Sequence, residues 1–120
     1  MSTRKKVDMP LGREYGEMVA DDVRENPEYA RELLGRALTL LLDGDTSTAK
    51  IMFRDLVNGT QGFVALARET GLNDKSLHRM LGANGNPRME NLILIAQALK
   101  KALGVETRVE ASRSTGRRAS

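Results

Sequence analysis

The stretch Phe63-Val64-Ala65-Leu66-Ala67-Arg68-Glu69-Thr70-Gly71-Leu72-Asn73-Asp74-Lys75-Ser76-Leu77-His78-Arg79-Met80-Leu81-Gly82 decides how this chain is read. Phe63, Leu66 and Ala67 recur at helical spacing over about 61–70, and Leu77, Met80 and Leu81 do the same over 74–81. Between them Gly71 can take the positive φ that a tight turn needs, and Asn73 can cap the helix that follows. Ala67, four residues before that glycine, is small enough for two helices to approach closely. This is the pattern of a helix-turn-helix, in which the first helix braces a second, short one.

The outward positions of that second helix are Asp74, Lys75, Ser76, His78, Arg79 and Gly82. Lys75 and Arg79 can donate to guanine O6 and N7, Asp74 can accept from cytosine N4, and Ser76 suits either. His78 can reach a phosphate or a base. Asn73 leaves the helix start with exposed N–H groups that suit a phosphate. Each residue also has a plainer reading: Asp74 complements the helix dipole, and Lys75 and Arg79, four apart, are ordinary solvated charges.

Outward from this segment the helical period continues. Asn26-Pro27 is a helix start, and Ala30, Leu33, Leu34, Ala37, Leu38 and Leu41 give one apolar face before Asp43-Gly44 stops it. A second helix begins near Asp45 or Thr46, buries Ala49, Met52, Phe53, Leu56 and Val57, and stops at Asn58-Gly59. After the turn-rich stretch from Gly82 to Pro87, a fifth helix runs from about Met89 to Leu103, with Leu92, Ile95, Ala96 and Leu99 inward and Gly104 as its cap. The expected fold is all-α, with five helices over residues 26–104. Residues 1–25 carry Pro10, Gly12 and Gly16 without a sustained period and read as a flexible arm, with one short helical turn near Glu14 to Ala20.

Beyond Gly104 the beat changes. Val105, Thr107, Val109 and Ala111 alternate with Glu106, Arg108 and Glu110, which is the pattern of a strand. A lone strand in a helical domain needs a partner, and the same segment of a second subunit is the nearest one. Residues 105–111 are thus expected to pair across a homodimer, and the Arg-rich 112–120 to be disordered.

With 120 residues the chain has room for one domain, burying roughly two-thirds of its unfolded surface. Nineteen Lys and Arg against sixteen Asp and Glu leave only +3. The distribution is more telling. Eight acids face five bases over residues 21–60, whereas Arg68, Lys75, Arg79, Arg88, Lys100 and Lys101 face only Glu69, Asp74 and Glu90 over 61–104.

No cysteine is present, which excludes a disulfide framework, a zinc finger and a thiol nucleophile. His78 is the only histidine, so no histidine pair can hold a metal. Asp43-Gly44-Asp45 begins like a calcium loop, but the twelfth position is Arg54 rather than Glu. No Gly-Lys-Ser/Thr follows Gly82 or Gly85 to make a phosphate loop. No enzyme constellation and no cofactor are expected. Neither an apolar span of about 20 residues nor a signal-like segment is present, so the expected location is cytoplasmic, at the nucleoid.

Gly82-Ala83-Asn84-Gly85-Asn86-Pro87-Arg88, followed by Leu92, Ile95-Ala96 and Ala98-Leu99, resembles the lambda-repressor-like, Xre-type helix-turn-helix family. Leu38 to Asp45, the second helix, Leu66 to Leu72 and Gly85 to Arg88 are similar to the addiction-module antidote (antitoxin) proteins within it. The resemblance covers about residues 28–109. It implies a five-helix domain that binds double-stranded DNA at an operator as a homodimer. It also implies autorepression of a toxin-antitoxin operon, with a RelE-like toxin as partner. Asn86 and Arg88 would correspond to positions that contact the DNA backbone. The antidote proteins commonly carry Ser at the cap and Tyr inside the recognition helix, where this chain has Asn73 and His78.

Two rival readings stand beside the antitoxin. One is a stand-alone or prophage-type regulator without a toxin. The other, of a different class, is a protein-interaction module that turns its basic face to an acidic partner.

Overall fold

The computed structural model describes the backbone of residues 12–114 and the side chains of 16–114. Among the described residues six helices form: α1 (Gly12–Glu25), α2 (Pro27–Leu42), α3 (Thr46–Gly59), α4 (Gly62–Thr70), α5 (Asp74–Met80) and α6 (Met89–Leu103). The fold is all-α, with one helix more than the five expected.

Local chemistry sets most boundaries. Asn26 Oδ1 accepts from the backbone N–H groups of Glu28 and Tyr29 at 3.1 and 3.2 Å, with Pro27 opening α2. Asp45 Oδ1 accepts from Thr48 N at 3.2 Å to start α3. The Asp43-Gly44-Asp45 corner is therefore a helix stop followed by a helix start, each satisfying backbone groups that a helix end leaves open.

The core is gathered around α3. Phe53, Leu56 and Val57 are fully buried against Leu34 and Ala37 of α2, Leu66 of α4, Leu77 of α5, Leu81 just beyond it, and Ile95 and Leu99 of α6. Removing the Phe53 ring would cost about 3–5 kcal/mol in lost transfer energy and residual cavity. Because α4, Leu77 and Leu81 all seat on this cluster, it sets where α5 stands.

The largest departure from expectation is at the N-terminal end. Residues 12–25 are a helix, not an arm, and Val19, Ala20 and Val23 on it are buried. Gly12 and Gly16 weaken any intrinsic helical tendency, so the helix is held by its docking on α3. Gly59 permits that approach: a Cβ there would lie 2.6 Å from Val23 Cγ1 and 2.7 Å from the Ala20 carbonyl oxygen. Arg24 completes the contact, donating from Nη2 to the Asn58 carbonyl at 3.0 Å while Nη1 pairs with Asp21 at 2.7 Å. The packed domain thus begins in α1 rather than at residue 26. The remainder of the expected arm, 1–11, and residues 115–120 of the expected tail lie outside the described residues.

The second departure is at the other end. Residues 105–114 form neither helix nor strand. A strand needs an extended neighbour to bond with, and no other strand is present among the described residues. Val105 N instead donates to the Lys100 carbonyl at 3.0 Å, closing α6, and the segment then runs beside α2.

Candidate functional site

Helices α4 and α5 are joined by three residues, Gly71, Leu72 and Asn73. Gly71 has φ +80° and its N–H closes α4 on the Ala67 carbonyl at 2.9 Å. Asn73 Oδ1 then accepts from Ser76 N at 3.1 Å to open α5. Both turn residues take the conformations their types favour, which makes the corner rigid and short.

On α5 one side is inward and the other free. Leu77 is fully buried, while Asn73, Lys75, His78 and Arg79 are exposed and Asp74 and Ser76 half-buried. Of these, Lys75 and Arg79 keep their charges in solvent, and Arg79 Nη2 makes only one contact within the helix, to Ser76 Oγ at 3.3 Å. His78 is more engaged than a free surface side chain. Its ring stacks on Phe63 of α4, with centroids 3.9 Å apart and planes inclined by 22°. Its Nε2 also lies 3.6 Å from Asp74 Oδ1. That carboxylate oxygen is shielded from solvent and has no hydrogen-bond partner among the described residues. Asp74 is thus oriented along its own helix, toward His78, and the exposed His78 ring is held against α4 by its stack on Phe63.

The loop after α5 brings in the remaining expected residues. Gly85 lies on the C-terminal carbonyls of α5: a Cβ there would be 2.1 Å from the Arg79 carbonyl oxygen and 2.4 Å from that of Met80. Lys50 of α3, buried, donates from Nζ to the Gly85 carbonyl at 2.5 Å and the Ala83 carbonyl at 3.4 Å. One turn further along α3, Arg54 Nη1 donates to the Leu81 carbonyl at 3.4 Å. The loop is thereby pinned against the end of α5, and it carries Asn86 and Arg88, both exposed. Arg88 Nη1 pairs with Glu90 Oε2 at 3.5 Å, with both side chains three-quarters exposed.

The α5 surface thus exposes Asn73, Lys75, His78 and Arg79, with Asp74 and Ser76 half-buried, and the loop that follows exposes Asn86 and Arg88. Sequence reasoning missed Lys50, Arg54 and Gly85, which hold that surface in shape. Their signal was present: Lys50 and Arg54 are cations four apart beside the apolar stripe of α3, and Gly85 sits between two Asn residues.

A second polar feature lies away from this surface. Asp55 of α3 borders a groove of about 590 Å³ shared with Gly16, Ala20, Asp21, Arg24 and Arg54. Burial raises its pKa from 3.8 to about 6, partly opposed by the Arg54 charge. Among the described residues no three His, Asp or Glu side chains gather as a metal site would need. No described helix is long and apolar enough to cross a membrane. Compared with family models, with curated proteins and with solved structures, the chain returns no match.

Proposed function

We propose that this protein is a sequence-specific DNA-binding repressor acting as a homodimer, with α4–turn–α5 as its helix-turn-helix and α5 as the recognition helix. One observation carries the reading: α5 leaves Lys75, His78 and Arg79 exposed, and the loop that follows, pinned at Gly85 to the end of that helix, leaves Asn86 and Arg88 exposed. A surface of this kind suits the major groove, where a short helix presents a few donors to base edges while flanking residues grip phosphates.

The roles follow from chemistry and exposure. Arg79 and Lys75 donate to guanine, Ser76 is permissive, and Asn86, Arg88 and the capped start of α5 contact the backbone. Asp74 and His78 act together. The Phe63 stack holds the imidazole beside the Asp74 carboxylate, so the pair presents one oriented edge. Two such helices, related by a two-fold axis and about 34 Å apart, would read two half-sites.

Selection of bound duplexes from a random pool by the purified protein tests this. A recurring two-fold-symmetric sequence is expected, with a marked drop in affinity as salt rises. Recovery of an unenriched pool would overturn the proposal. The resemblance of Leu38–Asp45 and Gly85–Arg88 to antidote proteins extends it to an antitoxin that represses its own operon and holds a RelE-like toxin. Co-purification with the product of an adjoining toxin-like reading frame, and relief of that product's growth arrest, would bear this out.

A further inference from the structure

The segment after α6 combines three features. First, no hydrogen bond among the described residues engages the backbone of 106–114, so a run of N–H and C=O groups stands open. Second, the segment flanks a groove of about 370 Å³ whose other wall is α2, including Leu34, Leu38 and Leu42. Leu42 is 71% exposed and Val109 73% exposed, although Val105 at the start of the segment packs on the core. Third, charges alternate with apolar residues: Glu106, Arg108 and Glu110 between Val105, Thr107, Val109 and Ala111.

Open backbone beside uncovered apolar side chains is an edge that asks for a strand. The charge pattern says which strand and in what register. In an antiparallel pair of identical strands the two-fold axis passes through a residue pair, so residues equally far on either side of it face each other. An axis at Arg108 would set Arg108 against its own copy and Glu106 against Glu110, and like charges directly opposite are destabilising. An axis at Val109 would set Arg108 against Glu110 twice but Val105 against Arg113, whereas an axis at Thr107 sets Glu106 against Arg108 twice on one face. On the other face it sets Val105 against Val109 twice, with the two Thr107 residues at the centre. That register satisfies the backbone, the charges and the apolar side at once.

We infer that a second copy of this chain pairs antiparallel along residues 105–109 with its two-fold axis at Thr107, covering Leu42 and Val109. The inference specifies the contact behind the homodimer of the proposed function, but it stands on residues remote from α5.

The full chain without cysteine gives a direct test. Sedimentation should find a dimer. Glu106→Arg and Arg108→Glu should each raise its dissociation constant about ten-fold, because each change makes both symmetric pairs repulsive. The double exchange should restore the wild-type value. Thr107→Cys should link two chains rapidly on mild oxidation, since directly opposite Cα atoms lie about 4.5–5.5 Å apart. Glu106→Cys and Arg108→Cys should link slowly, each being about 7–8 Å from its own copy. A chain monomeric throughout would overturn the interface, as would a dimer indifferent to the exchanges or one cross-linked equally at 106, 107 and 108. The two readings fail separately. A monomer that still selects a duplex leaves DNA binding standing alone, and a rescued dimer that selects none leaves the interface alone.

Discussion

A methyl group at position 85 would press to 2.1 Å from the Arg79 carbonyl oxygen, well inside van der Waals contact. Gly85→Ala must therefore push the loop off α5, and it should lower both the melting temperature and the affinity for duplex DNA. At Arg79 the role is different. Its guanidinium is held only loosely by Ser76, so Arg79→Ala should leave stability nearly unchanged while losing about 1–3 kcal/mol on the preferred duplex and relaxing preference at one base pair. Arg88→Ala should weaken all duplexes alike, which titration against matched and scrambled sequences would show. Equal losses from both substitutions would remove Arg79 as a reader. His78 lies between these cases: His78→Ala removes a ring stacked on Phe63 as well as a polar edge, so it should cost stability and affinity together.

Among the helices, α3 organises the others, with its apolar side carrying the core and its cations holding the loop. Replacing Lys50 by Met keeps the length of the side chain but leaves the Ala83 and Gly85 carbonyls without their donor. The expected cost is about 1–3 kcal/mol for buried acceptors left unpaired. Hydrogen exchange should speed up selectively over residues 82–88 while α2 keeps its protection. Uniform acceleration across the molecule would mean that Lys50 supports the core rather than the loop. On the opposite side of α3, Gly59→Ala should detach α1, because the new methyl group would overlap Val23 and the Ala20 carbonyl. Limited proteolysis would then cut within residues 12–25, which the wild type protects.

For the molecule as a whole, Asp55 introduces a pH dependence whose sign can be worked out. Its pKa is higher in the folded protein, about 6, than the ordinary 3.8, so the folded state holds a proton that the unfolded chain has given up. The resulting stability is fully present below about pH 3.8 and is lost as pH rises through about 6. Asp55→Asn keeps the shape and cannot ionise. It should melt higher than the wild type at pH 7, and this advantage should shrink as pH falls toward 4. A constant difference across that range would place the cause elsewhere. The charge of the molecule points the same way as its proposed use: Lys75, Arg79 and Arg88 are exposed, Arg88 in a solvent-facing pair with Glu90, whereas Lys50 and Arg54 of α3 donate to backbone carbonyls.

Much of this protein could be read without coordinates. Helices α2 to α6, their caps at Asn26, Asp45 and Asn73, the left-handed turn at Gly71 and the outward residues of α5 all follow from signals within four residues of one another. A capping side chain, a glycine that accepts positive φ or an apolar stripe is a local matter, and local matters are written in order along the chain. Helix α1 was not legible because two glycines hide it and its stability comes from Gly59, more than thirty residues away in sequence. The clasp of Lys50 and Arg54 on the loop, the stack of His78 on Phe63 and the burial of Asp55 were hidden for the same reason. Each exists only where segments distant in sequence meet, so its energy depends on packing that no single stretch contains. The pattern at 105–111 is the instructive middle case: alternation announces a strand, but a strand is completed only by whatever lies beside it.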